Sequence, residues 1–408
     1  MSTPPVSLHP AAANVSHLSA RPEISPDRTE SPIRERPRTN KDSPLNNRPA
    51  RSMGAHFDLL QRGFAAEIAD IDRSLVACLH RLGEPSSHYG MLRYHFGFAD
   101  AELRALTESA YLPRGKRLRP LICLLFCRIY GVPEPVATTM MMAVEVMHSA
   151  SLVHDDIQDR DAVRWNRPTL QAVFGLDQAI NAGDTLIGMV YQLLLELTDQ
   201  GVAPTQTLNV IAAFNRAHLR MCEGQHLDLK RRYDDSSGAA GYLDMVERKT
   251  GAPCVCIGES VAIVAGLPAQ TRATLGEFGR SLGTLYQICD DVRDLFSQPN
   301  ALGREMGHDL VLHRPSLPLL YGCRHGSAAL RSFLQANPGR ETPFSAAELS
   351  FVRSELVACG AGRYCRDSAV QHHDVALTAL NALNQDGIEI RTLRGLLHAC
   401  LASVEFPN

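Results

Sequence analysis

From Met53 onward apolar residues recur at steps of three and four, as in Phe57, Leu60, Phe64, Ile68, Ile71 and Leu75. That spacing places them on one side of a helix and leaves no room for the alternation a strand needs. Turn-forming residues punctuate the pattern at 83–85, 113–115, 131–133, 201–204, 266–268 and 337–339. Helical segments of about 15 to 30 residues fit between them. The expectation is an all-α chain, one large helical bundle around an apolar cavity. With 408 residues, 45% of them hydrophobic, the chain can bury such a core.

Residues 1–52 break the pattern. They hold nine of the 24 prolines and show no apolar period, so a disordered arm is expected ahead of a helical domain over 53–408. The arm reads as a solvated tail or, being rich in Ser, Ala and Arg with its first acid at Glu23, as an organelle transit peptide. A cytoplasmic location is expected, with an organelle as the alternative. The formal net charge of -3 gives no general field for nucleic acid or an acidic membrane. The longest uninterrupted apolar run, 121–127, is far short of a membrane span, so a soluble protein is expected. Eleven cysteines without CxxC pairs or a secretory leader suggest reduced intracellular thiols. Cys123 and Cys127, four apart in that apolar run, read as packing residues and not as zinc ligands.

The chemistry lies in two acidic clusters about 135 residues apart. Asp155, Asp156 and Asp159 follow a helix-like stretch, and Asp155, Asp159, Leu152 and His148 share one face at helical spacing. Asp290, Asp291 and Asp294 repeat the arrangement after Gln287. Like charges four apart repel, so each cluster is either an exposed helix end or a site for cations. Two clusters in helical context favour cations, and all-oxygen donors suit Mg2+ with phosphate as co-ligand. Arg114, Lys116, Arg117 and Arg119 precede the apolar run 121–127, where cations oppose the helix dipole unless an anion binds. Such a set fits Mg2+-assisted departure of diphosphate from an allylic carbon in a cavity that excludes water.

At these residues the sequence resembles the trans-prenyl diphosphate synthases, most of all those making short chains of about twenty carbons. The likeness runs over residues 55–330 and more weakly beyond. The run Gly115-Lys116-Arg117-Leu118-Arg119-Pro120 matches the family's GKRxRP, and Glu223-Gly224-Gln225 with Asp228 matches its EGQxxD. The resemblance implies that Lys116, Arg119 and His148 bind isopentenyl diphosphate. It gives Arg164, Lys249, Thr250, Gln287, Arg304 and Arg314 to substrate diphosphates, the last two standing where lysines are common. It implies a catalytic set of Asp155, Asp156, Asp159, Lys249, Asp290 and Asp291, with two or three Mg2+ ions on Asp155, Asp159, Asp290 and Asp294. It further implies a homodimer and geranylgeranyl diphosphate as product.

Trp165 is the sharpest departure, standing where the family has a second arginine for isopentenyl diphosphate. A charge-assisted bond of that kind is worth roughly 1.5 to 3 kcal/mol, about 10- to 150-fold in affinity. Arg167 is one candidate replacement, and Trp165 itself is either a packing residue or a lid. Product length in the family follows bulk just upstream of the first aspartate. Ala150 and Ser151 are small there, which points to closure deeper down by Met147, Val146 or Met142. The rivals are a class I terpene cyclase, which Trp165 keeps open, and a non-catalytic partner subunit. Against the first stand Lys116, Arg119, His148 and the lack of an NDxxSxxxE pattern after Asp294; against the second stand six intact carboxylates. Asp184 reads as a helix N-cap, Glu145 as part of the His148 face or an ordinary salt pair, and His372 with His373 as a surface or core pair.

Overall fold

The computed structural model describes residues 63–83, 88–233, 237–296, 307–336 and 344–407. The N-terminal arm and Arg304 lie outside the described residues, as does the turn expected at 337–339. Five of the six expected turn clusters fall between helices. The helices are α1 Ala65–Leu82, α2 His88–Phe96, α3 Leu118–Ile129, α4 Glu134–Asp159, α5 Leu170–Phe174, α6 Leu176–Asp199 and α7 Pro204–Lys230. There follow α8 Gly238–Val246, α9 Ala252–Val264, α10 Ala269–Phe296, α11 His308–Val311, α12 Leu317–His325, α13 Ala328–Ala336, α14 Ala346–Ala358, α15 Ala361–Ala382 and α16 Ile388–Ala402. Among the described residues the strands are β1 Val163–Arg164 and β2 Arg167–Pro168, one small antiparallel hairpin.

The fold is organised around α4. It is apolar enough to span a membrane by length and composition, with a mean hydropathy of 1.3, but 78% of that window is buried inside the protein. Its sulfur-rich middle, Met140 to Met142 and Met147, packs chiefly against α6 and α3. Such unbranched side chains fill irregular gaps between crossing helices. On the other side of the bundle α10 packs against α9 and α15. Cys123 and Cys127 are fully buried in α3, as their spacing suggested.

Asp184 corrects the sequence reading. It lies in the middle of α6 and is exposed, because the helix begins at Leu176 after Gly175, whose φ of +88° breaks the chain. Gly183 is not a turn residue but a contact point, where an added Cβ would lie 2.3 Å from Nε2 of His154 on α4.

α8 and α9 are one continuous helix interrupted by a π turn over Glu247–Gly251. Glycines of two neighbouring helices close on it. A Cβ on Gly224 of α7 would stand 2.4 Å from the Lys249 nitrogen, and one on Gly283 of α10 would stand 2.7 Å from the Thr250 carbonyl oxygen. Gly224→Ala should therefore force α7 off the turn, costing about 1–3 kcal/mol as overpacking does. Thermal unfolding checks it, and the midpoint should fall.

Candidate active site

α4 delivers its acids by helical phase. His148, Leu152, Asp155 and Asp159 all line one cavity of about 870 Å³. Asp156 is turned away from it, 4% exposed, and accepts from Nε of Arg164 at 2.5 Å. Burial pushes its carboxyl up to about 7 despite that arginine. Asp156 and Arg164 thus hold the hairpin against α4. Between the strands Trp165 and Asn166 both have positive φ, 52° and 59°, as a two-residue hairpin loop requires.

This turn decides what Trp165 and Arg167 do. The indole lies over Gly115, where an added Cβ would come within 3.2 Å of the ring, and it forms part of the cavity wall. Arg167 is buried, and its guanidinium donates to the carbonyls of Tyr94, His95 and Pro113. It is fixed in the wall, so it does not replace the absent arginine.

All four cations of the basic turn line the cavity, but two of them are already paired with acids. Arg117, 3% exposed and with a φ of 54°, donates to Asp72 at 2.9 Å and to Glu145 at 2.5 Å. Arg114 donates to the same Asp72. Two of the four cations expected to hold an anion are therefore balanced inside the protein. Glu145 belongs to this buried quartet across three helices and not to a pair within α4. Lys116 and Arg119 remain on the cavity wall. Arg119 donates to Nε2 of His148 at 3.1 Å. Burial and that guanidinium hold the imidazole well below its usual range, so His148 is neutral.

Facing α4, α10 carries Gln287, Asp290, Asp291 and Asp294. Asp290 pairs with Arg293 at 2.5 Å. Asp291 is buried, accepting from the Leu317 amide at 3.1 Å and from Gln287 at 2.9 Å, and burial lifts it to about 6. Asp294 accepts backbone N–H bonds from His308 and Asp309 at 3.1 and 3.2 Å, which ties α11 to α10. The π turn completes the ring. Lys249 donates to Asp228 at 2.9 Å, and Thr250 donates to Gln287 at 3.0 Å. Burial would raise Asp228, but Lys249 and Arg314 outweigh it and hold the carboxyl below its ordinary value. Arg314 spans two helices, donating to Asp159 of α4 at 3.0 Å and lying 3.5 Å from Asp228 of α7.

The metal expectation can be tested on this donor set. Among the described residues no three acidic, histidine or cysteine side chains converge on one point. Asp155 and Asp159 instead face Asp290 across the cavity. Carboxylates spread this way suit a hard ion that keeps water and substrate phosphate in its shell. Asp155 and Asp290 fit Mg2+, whereas both oxygens of Asp159 are held by Arg314 and both of Asp294 by backbone amides, so these two would have to exchange a partner to bind it.

Some residues escaped the sequence reading. Asp309 lies beside Asp294 on the cavity wall, and burial with its acidic neighbours pushes its carboxyl well up. Asp72, which anchors Arg114 and Arg117, carries no local signal because it is 42 and 45 residues away from them. Arg293 had a signal, being three residues after Asp290 and so on its face. His373 is buried with its Nε2 3.0 Å from Nδ1 of His398 on α16, so its partner is that residue and not the adjacent, half-buried His372.

Known proteins resemble the chain in sequence and in fold. The octaprenyl diphosphate synthase of Haemophilus influenzae is 35% identical over 214 residues, covering 52% of this chain and 63% of that protein, a little under two thirds of its length. The geranylgeranyl pyrophosphate synthase of Geoglobus acetivorans is 32% identical over 274 residues, 66% of this chain and 82% of that one. A crystal structure of polyprenyl synthetase from Streptomyces coelicolor matches with a TM-score of 0.72 at 27% identity, covering 83% of this chain and 98% of the other. The model of the polyprenyl synthetase family matches residues 100–352, more than half of the sequence. With its helices, its two facing acid clusters and its basic turn in that family's order, the chain belongs to the polyprenyl synthetases, the trans-prenyl diphosphate synthases.

Proposed function

We propose that the protein condenses isopentenyl diphosphate with an allylic diphosphate, head to tail and in trans, to a product of about twenty carbons, geranylgeranyl diphosphate. The observation that carries this reading is one cavity with acids on two facing walls and Lys116, Arg119 and His148 at its side. When bound to Asp155, Asp159 and Asp290, Mg2+ would act as a Lewis acid on the departing diphosphate. Lys249, Thr250 and Arg314 lie where they would hold that diphosphate, and Arg314 would leave Asp159 to do so. Neutral His148 and charged Arg119 would bind the acceptor diphosphate without adding a proton source beside a carbocation. The allylic C1–O bond breaks with its electron pair leaving on diphosphate, the acceptor's double bond attacks C1, and the adduct then loses a proton to an oxygen of the released diphosphate, forming the new double bond.

Ser151 lines the cavity and leaves room beyond the first carbons. Deeper, Met147, Tyr191 and Phe214 close around a small pocket that shares His218 with the main cavity. Met142 and Val146 are buried but line neither space. This floor supports a short product, although the relatives named above carry names of different chain lengths. A second copy of the chain is the partner we assign to α6 and α7, whose Leu176, Ile180, Leu195, Leu208 and Leu219 are exposed.

Product analysis tests the reading. Purified protein with Mg2+, labelled isopentenyl diphosphate and dimethylallyl, geranyl or farnesyl diphosphate should give a labelled prenyl alcohol of twenty carbons after dephosphorylation. A different single length would correct the product and keep the reaction. A hydrocarbon formed from the allylic diphosphate alone would mean a cyclase, and no product with any primer would favour a partner subunit.

A further inference from the structure

Inside the second acid cluster stands an arginine that the roles above leave aside. Arg293 follows Tyr286 by seven residues and Asp290 by three, so all three share the face of α10 that lines the cavity. Its side chain is only 11% exposed. Asp290 takes one donor, Nη1, while Nε and Nη2 are buried without a hydrogen-bond partner. Buried donors left unmade are costly, and an anion entering the cavity that Arg293 lines would supply the missing acceptor.

The position of Arg293 says which ligand that is. Tyr286, Arg293 and Arg119 line the same cavity, and Arg119 is the guanidinium bonded to His148. Arg119 also keeps a buried donor, Nε, without a partner. Two planar forks lining one cavity, with three unsatisfied N–H groups in all, match a diphosphate ester, which accepts through several oxygens at once. On the far side the Trp165 indole has removed the guanidinium that would otherwise serve that anion.

We propose that Arg293 is a further binding residue for the acceptor diphosphate, supplying from α10 the charge-assisted contact that Trp165 has removed from the hairpin. The inference rests on the condensation reading given above. A simple ion pair with Asp290 would account for one donor and leave the burial of the other two unexplained.

Trp165 is the sole tryptophan and lines the same cavity, so its fluorescence is the readout for acceptor binding. Isopentenyl diphosphate is titrated into Mg2+-loaded protein without an allylic partner, and a non-ionising thiolo analogue of geranyl diphosphate is titrated separately. Arg293→Leu should weaken the acceptor about 10- to 100-fold and the allylic analogue less than about threefold. Arg293→Lys should fall between, since it keeps the charge and loses the fork. Adding Trp165→Arg to Arg293→Leu should restore most of the acceptor affinity, read by calorimetry. Acceptor affinity unchanged in Arg293→Leu, or both ligands weakened alike, would overturn the proposal. If Arg293→Leu does not fold, Arg293→Lys and Arg293→Gln decide by the same titrations. A wild type that binds the allylic analogue but not isopentenyl diphosphate sinks the condensation reading instead, and this inference with it.

Discussion

Exchanging Asp155 and Asp159 together for asparagine should lower kcat by at least about 10³-fold while leaving the fold in place. Removing a single preorganised charge contact at a reacting centre already costs about 10²–10³. Here two carboxylates on one helical face are lost together, and with them the proposed anchor for an ion that would draw off the leaving group. The amides keep the shape of the side chains. Arg314, released from Asp159, retains Asp228, so circular dichroism and the unfolding midpoint should change little. Single-turnover kinetics with saturating substrates separates this loss from weaker binding. A kcat within tenfold of wild type would remove these two aspartates from the chemistry.

Arg117→Met should destabilise the protein by about 3–5 kcal/mol, the usual cost of taking one partner from a buried ion pair. Asp72 would keep Arg114, but Glu145 would be left 3% exposed with its counter-ion gone. Burial already pushes that carboxyl up against the pull of Arg117, so the variant should take up a proton there. Stability lost through Glu145 is then smallest at acid pH and grows as pH rises through the range where the unfolded chain ionises and the folded chain does not. Denaturant unfolding at pH 5 and pH 8 measures the difference. The double variant Arg117→Met with Glu145→Met should recover much of the loss, because two apolar groups can replace a buried pair nearly without cost. A change below about 1 kcal/mol in the single variant would show that water reaches the quartet.

What could be read in the sequence follows the reach of its signals. His148, Leu152, Asp155 and Asp159 were placed correctly relative to one another because helical phase is a local property. Asp156 belongs to the same motif, yet one residue turns it by about 100° into a pair with Arg164. The basic turn was half legible: its charge is local, but the partner that buries Arg114 and Arg117 sits on α1. Arg167 was a plausible stand-in by proximity, and only the hairpin geometry commits it to three backbone carbonyls. Asp184 failed for a related reason, since a glycine pressed against a neighbouring helix looks in sequence like one that ends a helix.

The π turn at Glu247–Gly251 has a bearing on insertions and deletions. A turn of this kind takes one more residue than the helix around it needs, and every residue of an α-helix advances the side chains by about 100°. Losing Glu247 or Arg248 would let the backbone relax into an ordinary helix, with every remaining side chain chemically intact. It would also rotate Lys249 away from Asp228 and separate Thr250 from Gln287. At this place the count of residues matters as much as their identity, and a library that varies only side chains would never reveal it.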